Sequence, residues 1–241
     1  MIYEHNFEIK VSDLNKNLEL KNKSLLSFLE EIGNLQSSTI GLGINDIPNS
    51  KLSWVLLNWK VEVIKRPVYG NLLNIKSWER GANKLHCFRE YEVYDDKTGE
   101  LLVRATSKWA LLNIETGRPV MLLPTIPEGY AEDDKFAFSS DFPKKIIEPK
   151  QFEKVSYYTV KRSNIDFNNH THNLEYLDIA YESLPEGVFE NTVFNNIEIM
   201  YKKETKLNDI LKCFYTFENG EHIVSIRSED EAILHTIIKI Y

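Results

Sequence analysis

Cysteine is nearly absent: the 241 residues hold only Cys87 and Cys213, and the pair has no C-x-x-C spacing. Two cysteines so placed give neither a disulfide framework nor a zinc site. Cys213 lies in the alternating stretch Leu211-Lys212-Cys213-Phe214-Tyr215 and reads as a buried structural thiol. Long apolar runs are missing too. Val55-Leu56-Leu57 and Ala110-Leu111-Leu112 stop well short of the roughly 20 residues that a membrane span needs. Met1-Ile2-Tyr3-Glu4-His5 has no basic region leading into an apolar stretch, so no secretory signal is expected and the expected compartment is the cytoplasm. There is no positive excess either: 36 acidic against 29 basic residues give a formal net charge of −7, which argues against a nucleic-acid partner. An acidic protein partner stays open, but it requires a local basic patch. What is present is ordinary for a globular chain, 42% hydrophobic and 27% charged, and long enough for one large domain or two small ones.

Strand signals dominate. Trp54 to Ile64, Phe88 to Tyr94, Leu101 to Leu112 and Ile233 to Tyr241 carry β-branched and aromatic residues with period-2 character. Asp95-Asp96-Lys97-Thr98-Gly99 and Glu218-Asn219-Gly220 predict hairpin turns. Two stretches predict helices. One runs from Ser24 to Leu35, with Leu25, Phe28, Leu29 and Ile32 at helical spacing behind a Ser cap. The other runs from about Asn173 to Leu184, ended by Pro185 and Gly187.

The order of elements repeats. Lys10-Val11-Ser12-Asp13-Leu14-Asn15 and Lys161-Arg162-Ser163-Asn164-Ile165-Asp166 share the pattern K-x-S-[D/N]-[L/I]-[N/D] at an offset of 151 residues, Lys10 to Lys161. Each precedes a helix, and each helix is followed by a similar strand, Val61-Glu62-Val63-Ile64 in one half and Ile197-Glu198-Ile199-Met200 in the other. Three matches in one order indicate a duplicated α+β unit: a strand, one long helix, then several antiparallel strands. The expected division is 1–125, a linker at 126–150 carrying Pro127, Gly129, Pro143 and Pro149, and 151–241.

The densest polar cluster is Asn164 to Asn173, between a strand and the second helix. Asp166, Asn168 and His170 alternate, so an extended segment would set them on one side. The plain alternative is a capping loop, since Asn and Asp favour such positions. An Asp, an Asn and a His on one side favour chemistry instead. His170 and His172 lack an evident third ligand, so neither a metal nor any other cofactor is expected.

The segment Asp166-x-Asn168-x-His170-x-x-Asn173-x-x-Tyr176 resembles the D-x-N-x-H-V-N-N-x-x-Y signature of the acyl-acyl-carrier-protein thioesterases. Tyr201-Lys202-Lys203-Glu204-Thr205 resembles the same family's Y-[R/K]-x-E motif. Trp54-Val55-Leu56, Arg66-Pro67-Val68-Tyr69-Gly70, Ser77-Trp78-x-x-Gly81 and Ser107-x-Trp109 are similar to its other landmarks, so the resemblance spans nearly the whole chain. Two departures matter. The family's V-N-N is Thr171-His172-Asn173 here, and Thr205 stands where some members carry a cysteine, which excludes a cysteine nucleophile at that position.

The resemblance implies a tandem double hotdog, each copy an antiparallel sheet wrapped around one long helix. It also implies hydrolysis of fatty acyl-acyl carrier protein, with Asp166, Asn168, His170 and Glu204 as the catalytic set and Asn173, Tyr176 and Thr205 in support. Our division of roles gives Glu204 the general base, since a carboxylate beside an apolar acyl tunnel gains basicity by desolvation. Asn168 would hold the water or the carbonyl, His170 would donate or orient, and Asp166 would orient one of those two. Backbone N–H groups at the start of the second helix would receive the oxyanion. By itself, a Glu beside Lys202 and Lys203 on a strand would be an ordinary surface charge.

The first copy has Asn15, Asn17 and Glu19 at the positions of Asp166, Asn168 and His170, and Arg66-Pro67-Val68 near that of Glu204. It therefore reads as catalytically silent and, by the resemblance, as shaping the acyl pocket. The expected partner is acyl carrier protein, with Lys202, Lys203, Arg66, Arg80, Lys84, Lys144 and Lys145 as basic candidates for its docking. A homodimer is left open. The competing functions are an acyl-coenzyme A thioesterase of the same fold and a non-catalytic acyl-binding protein.

Overall fold

A computed structural model describes residues 1–82, 84–127, 130, 135–138 and 145–241. Gly129, Pro143 and Lys144, named above for the linker and for docking, lie outside these. The chain divides into two compact units, Met1–Leu57 with Val61–Phe142, and Asn58–Lys60 with Pro143–Tyr241.

In unit 1 the elements are β1 (Tyr3–Glu8), α1 (Asn22–Ser38), α2 (Ile47–Ser50), β2 (Leu52–Val63, apart from its Asn58–Lys60), β3 (Leu72–Ala82), β4 (Cys87–Asp95), β5 (Leu101–Asn113), β6 (Arg118–Pro119) and α3 (Leu122–Thr125). In unit 2 they are β7 (Lys154–Thr159), α4 (Glu175–Ser183), α5 (Glu186–Asn191), β8 (Asn196–Tyr201), β9 (Ile210–Glu218), β10 (Glu221–Ser228) and β11 (Leu234–Ile240). The sheet order in unit 1 is β1-β3-β4-β5-β2 and in unit 2 it is β7-β9-β10-β11-β8, the same topology element for element. The duplication inferred from sequence is thus present in the strand order.

Both helices lie on their sheets by their apolar faces. Leu25, Leu26, Leu29 and Ile32 of α1 are fully buried, at the i, i+1, i+4, i+7 positions of one helix face. Each such leucine contributes about 1.5–3 kcal/mol by leaving water. In α4, Leu177, Ile179 and Ala180 do the same. The helix ends where Pro185 begins a further short one: proline disfavours helical geometry in the residue before it, and Leu184 is extended.

The boundaries differ from the sequence expectation in two places. Helix α1 starts at Asn22, with Lys21 flanking it and no side-chain cap, so Ser24 lies inside the helix instead of capping it. Helix α4 starts at Glu175, because the backbone at Asn173–Leu174 forms a turn instead. It is nine residues long, so unit 2 carries a short helix and a second one beyond Pro185 in place of one long helix. Both hairpin turns form as expected. At Asn219-Gly220 both residues have positive φ, 54° and 82°, the two-residue turn that suits the twist of paired strands.

The segment after α3 is built into unit 1. The Trp78 indole donates to the Lys135 carbonyl at 2.9 Å, and Ala137 and Phe138 pack with Trp78. Below it, the buried Arg89 guanidinium donates to Gln36 Oε1, to Ser77 Oγ at 3.2 Å and to the Tyr130 hydroxyl at 3.0 Å, tying α1, β3 and β4 to this segment. Cys87 and Cys213 are both buried, and burial pushes the Cys213 thiol up to about 11, as suits a structural residue.

Candidate active site

The cluster at 164–173 is a tight turn. Ile165 and Thr171 pair across it as an isolated antiparallel bridge. Inside, the Asp166 N–H donates to the His170 carbonyl at 2.9 Å and the Asn169 N–H to the Asp166 carbonyl at 3.1 Å. Asn169 has φ 61°, a left-handed position that asparagine tolerates. The backbone here is therefore a turn and not extended, the other conformation that the alternation allowed. Asp166, Asn168 and His170 are brought together by chain reversal, and the reason is the aspartate itself. Its Oδ1 accepts the N–H of Asn168 at 2.8 Å and of His170 at 3.2 Å, closing the loop from within. Asp166 thus orients both partners through their backbones, whereas an orienting contact to a side chain was expected.

The second half of the site comes from the residues after β8. Glu204 is not on a strand: β8 ends at Tyr201, and 202–206 is irregular. This segment is held against the loop at Thr205. The Thr171 N–H donates to the Thr205 carbonyl at 2.8 Å, and the Thr205 hydroxyl donates to Thr171 Oγ1 at 2.6 Å. Thr205 Oγ1 also meets the Tyr176 hydroxyl, on α4, at 2.9 Å. Three buried hydroxyls therefore link loop, helix and segment. Burial, with the nearby Glu204 carboxylate adding to it, pushes the Tyr176 phenol up to about 12, so it stays protonated in ordinary conditions. The Tyr201 hydroxyl donates to the Asn173 carbonyl at 3.1 Å and anchors the end of β8 to the same loop. Thr171 was not singled out from sequence. The signal available was its place in copy 2 at the residue that pairs with the Glu204 segment.

Asn168 and Glu204 are exposed, while Asp166, His170 and Asn173 are half-buried and Tyr176 and Thr205 are buried. The desolvation expected around Glu204 is not present in the free chain. At the start of α4, the N–H of Glu175 is taken by the His172 carbonyl at 2.9 Å and that of Leu177 by the Leu174 carbonyl at 3.2 Å. The Asn168 amide and the His170 ring are polar side chains of the turn suited to a developing oxyanion. Among the described residues, no group of three or more His, Cys, Asp or Glu side chains is gathered as a metal site.

Unit 1 builds the same turn bond for bond. Leu14 and Leu20 pair as a bridge, Asn15 N–H donates to the Glu19 carbonyl at 2.8 Å, and Asn15 Oδ1 accepts from Asn17 at 2.8 Å and Glu19 at 3.1 Å. Leu18 takes the left-handed position, φ 62°, and Leu20 N–H donates to the Pro67 carbonyl at 2.8 Å as Thr171 does to Thr205. Pro67 is therefore the counterpart of Thr205, and Arg66 that of Glu204. The same register pairs Val61 with Ile199, two residues beyond the strand match read from sequence but on the same face. Arg66 folds back onto its own loop, donating to the Leu20 carbonyl at 3.3 Å and to Asn22 Oδ1. Copy 1 has the scaffold and lacks both the histidine and the carboxylate.

Family models for the acyl-ACP thioesterase N-terminal domain and C-terminal domain match residues 1–130 and 147–239. The oleoyl-acyl carrier protein thioesterase 1 of Arabidopsis thaliana is 21% identical over 89% of this chain and 63% of its own length. The palmitoyl-acyl carrier protein thioesterase of Gossypium hirsutum is 26% identical over 94% of this chain and 58% of its own. Both relatives are chloroplastic, and the chain spans less than two thirds of either. Among solved structures, the chain is similar to a 12:0-ACP thioesterase from Umbellularia californica (TM-score 0.84, 19% identity, 99% of this chain and 96% of that one). It is also similar to an acyl-ACP thioesterase from Bacteroides thetaiotaomicron (TM-score 0.79, 22% identity, 99% and 96%). These likenesses show the fold, a tandem α+β hotdog.

Proposed function

The chain belongs to the acyl-ACP thioesterase family, and from that premise we propose that it hydrolyses the thioester of fatty acyl-acyl carrier protein to free fatty acid and carrier thiol. The observation that carries this reading is the junction at Thr171 and Thr205, which sets the Glu204 segment against the Asp166–His170 turn in copy 2. It gains weight from copy 1, where the same junction carries Arg66 in place of the base and Glu19 in place of the imidazole.

In this mechanism Glu204 takes a proton from water as the water oxygen bonds to the thioester carbon. The carbonyl π electrons move onto oxygen, where the Asn168 amide and the His170 ring donate to the oxyanion. Collapse of the intermediate re-forms the carbonyl and breaks the C–S bond, and the thiolate takes the proton held by Glu204. Substrate itself supplies the missing desolvation, because an acyl thioester lying on the turn covers the exposed carboxylate. Asp166 holds the turn, and Tyr176 with Thr205 holds Glu204 to it.

The test is turnover by purified protein on acyl-carrier-protein and acyl-coenzyme A thioesters of several chain lengths. Free thiol release with higher kcat/KM for the carrier-borne form supports the proposal. Preference for acyl-coenzyme A turns it into the coenzyme A thioesterase, and tight acyl binding with no thiol release turns it into a binding protein.

A further inference from the structure

Glu204 is exposed, yet the residues on both sides of it are held. After it comes Thr205, bonded to Thr171 and Tyr176. Before it the hold comes from His235, the second residue of β11. The His235 carbonyl accepts the N–H of Lys202 at 2.8 Å and of Lys203 at 3.3 Å. Two residues thus face one, the pattern of a β-bulge, which bends the chain and re-aims its side chains.

The His235 ring adds a third bond: its Nδ1 lies 2.9 Å from the Lys203 carbonyl oxygen. A carbonyl only accepts, so Nδ1 carries the hydrogen and donates it. The residue is buried, which shields the bond from water. That carbonyl belongs to the planar peptide that leads into Glu204, so holding it fixes where the Glu204 Cα stands. Both peptides around Lys203 are therefore tied to one residue, by its carbonyl on one side and by its ring on the other.

Copy 1 builds the same backbone without the ring. Ile64 and Lys65, the counterparts of Lys202 and Lys203, donate to the Leu102 carbonyl at 2.9 and 3.0 Å. Leu102 therefore stands at the place of His235, and it is buried as His235 is. Its side chain has no hydrogen to donate. A leucine thus satisfies the fold here, in the copy that carries Arg66 in place of the base. Of the two copies, the imidazole occurs in the one where a carboxylate has to be aimed.

We propose that His235 is a positioning residue for the hydrolysis: through Nδ1 and the Lys203 carbonyl it fixes the peptide ahead of Glu204 and so aims the carboxylate at the water. This rests on the reading of Glu204 as the base of a thioester hydrolase. No proton moves through the ring in this role. A base held within about 0.5 Å of its working place needs such support from the residues behind it, and a displacement of about 1 Å costs about a hundredfold in rate.

The experiment measures kcat and KM on acyl-acyl carrier protein and acyl-coenzyme A, with Tm by calorimetry, for wild type, His235→Leu, His235→Asn and His235→Gln. Leucine is the residue of copy 1. Asparagine has the same branched shape and puts an amide N–H close to where Nδ1 stands, whereas glutamine puts its amide one bond further out, near Nε2. The proposal expects His235→Leu and His235→Gln to lose about tenfold to a hundredfold in kcat, with KM within about threefold of wild type, and His235→Asn to recover most of the rate. It also expects non-additivity: in a Glu204→Gln background, with no base left to aim, His235→Leu costs no more than about twofold further. Wild-type kcat in His235→Leu overturns the proposal and leaves the hydrolase standing. An equal loss in both backgrounds overturns it too, as a general disturbance of the fold. Activity in His235→Gln with none in His235→Asn overturns it by assigning the role to Nε2. Should His235→Leu fail to fold, the order of rates between His235→Asn and His235→Gln decides. If wild type releases thiol from neither thioester, the hydrolase reading fails and this role falls with it.

Discussion

Replacing Thr205 by valine removes one hydroxyl and almost no volume, and it breaks the junction on which the site depends. Two hydrogen bonds end on that oxygen, 2.9 Å to Tyr176 and 2.6 Å to Thr171. Thr205 is fully buried and Tyr176 is 2% exposed, so water does not replace the lost partner. A stranded buried hydroxyl costs about 1–3 kcal/mol, and two that share one partner together cost about 2–4 kcal/mol. In a chain of this size 1 kcal/mol moves Tm by about 2–4 °C, so differential scanning calorimetry should show a fall of about 4–16 °C. Adding Tyr176→Phe removes one stranded group and should return part of the loss, which a double-mutant cycle reads as coupling. Thr205→Ser keeps the hydroxyl and should retain most of both stability and turnover. Because Glu204 is the next residue, Thr205→Val should also lower kcat by about tenfold to a hundredfold. A Tm within about 1 °C of wild type, with no coupling to Tyr176, would refute the reasoning, since it would mean the hydroxyls are satisfied elsewhere.

The Asp166 turn separates geometry from charge. Asn15 closes the same loop in copy 1 with the same bonds, so Asp166→Asn should leave Tm unchanged, while Asp166→Ala should cost about 1–2 kcal/mol by chemical denaturation. Wild-type turnover by Asp166→Asn, beside a large loss in Asp166→Ala, would assign the aspartate to turn building alone. In alkaline solution the Tyr176 phenol should contribute its own slope. Its folded pKa of about 12 lies above the unfolded value near 10, so its contribution is full below about pH 10 and is lost as pH rises through 12. Urea unfolding from pH 9 to 12 should show a shallower decline in Tyr176→Phe, and an identical decline would contradict the burial of that hydroxyl. In copy 1, Arg66→Ala should destabilise by about 1–3 kcal/mol through the loss of its bonds to Leu20 and Asn22, while kcat stays within about twofold. A large fall in kcat at unchanged stability would mean that copy 1 is not silent.

The duplication was legible because it was written twice: the K-x-S motif at an offset of 151 fixes two turns whose backbone bonds agree to about a tenth of an ångström. Pro185 and Asn219-Gly220 gave their boundaries because proline and positive φ act locally. What sequence could not give was long-range. Nothing around Ala137 and Phe138 announces that they pack with Trp78, or that Tyr130 caps a buried Arg89, since those partners are separated by 41 positions or more. The turn at Asp166–His170 was not legible as a turn, because the alternation of polar residues also fits a strand. The clue lay in Asp-x-Asn-Asn, where an aspartate side chain followed by an asparagine in the left-handed position makes a turn. Glu204 was put on a strand because Tyr201 continues the β pattern, although pairing with β11 stops there.

The central claim is that Glu204, brought to the Asp166–His170 turn at the Thr171–Thr205 junction, activates the water. Single-turnover hydrolysis of acyl-acyl carrier protein by Glu204→Gln tests it most directly, because the exposed side chain can change without disturbing the core. The account predicts a folded protein that binds substrate normally and cleaves it about a hundredfold or more slowly than wild type. Cleavage at the wild-type rate would contradict it.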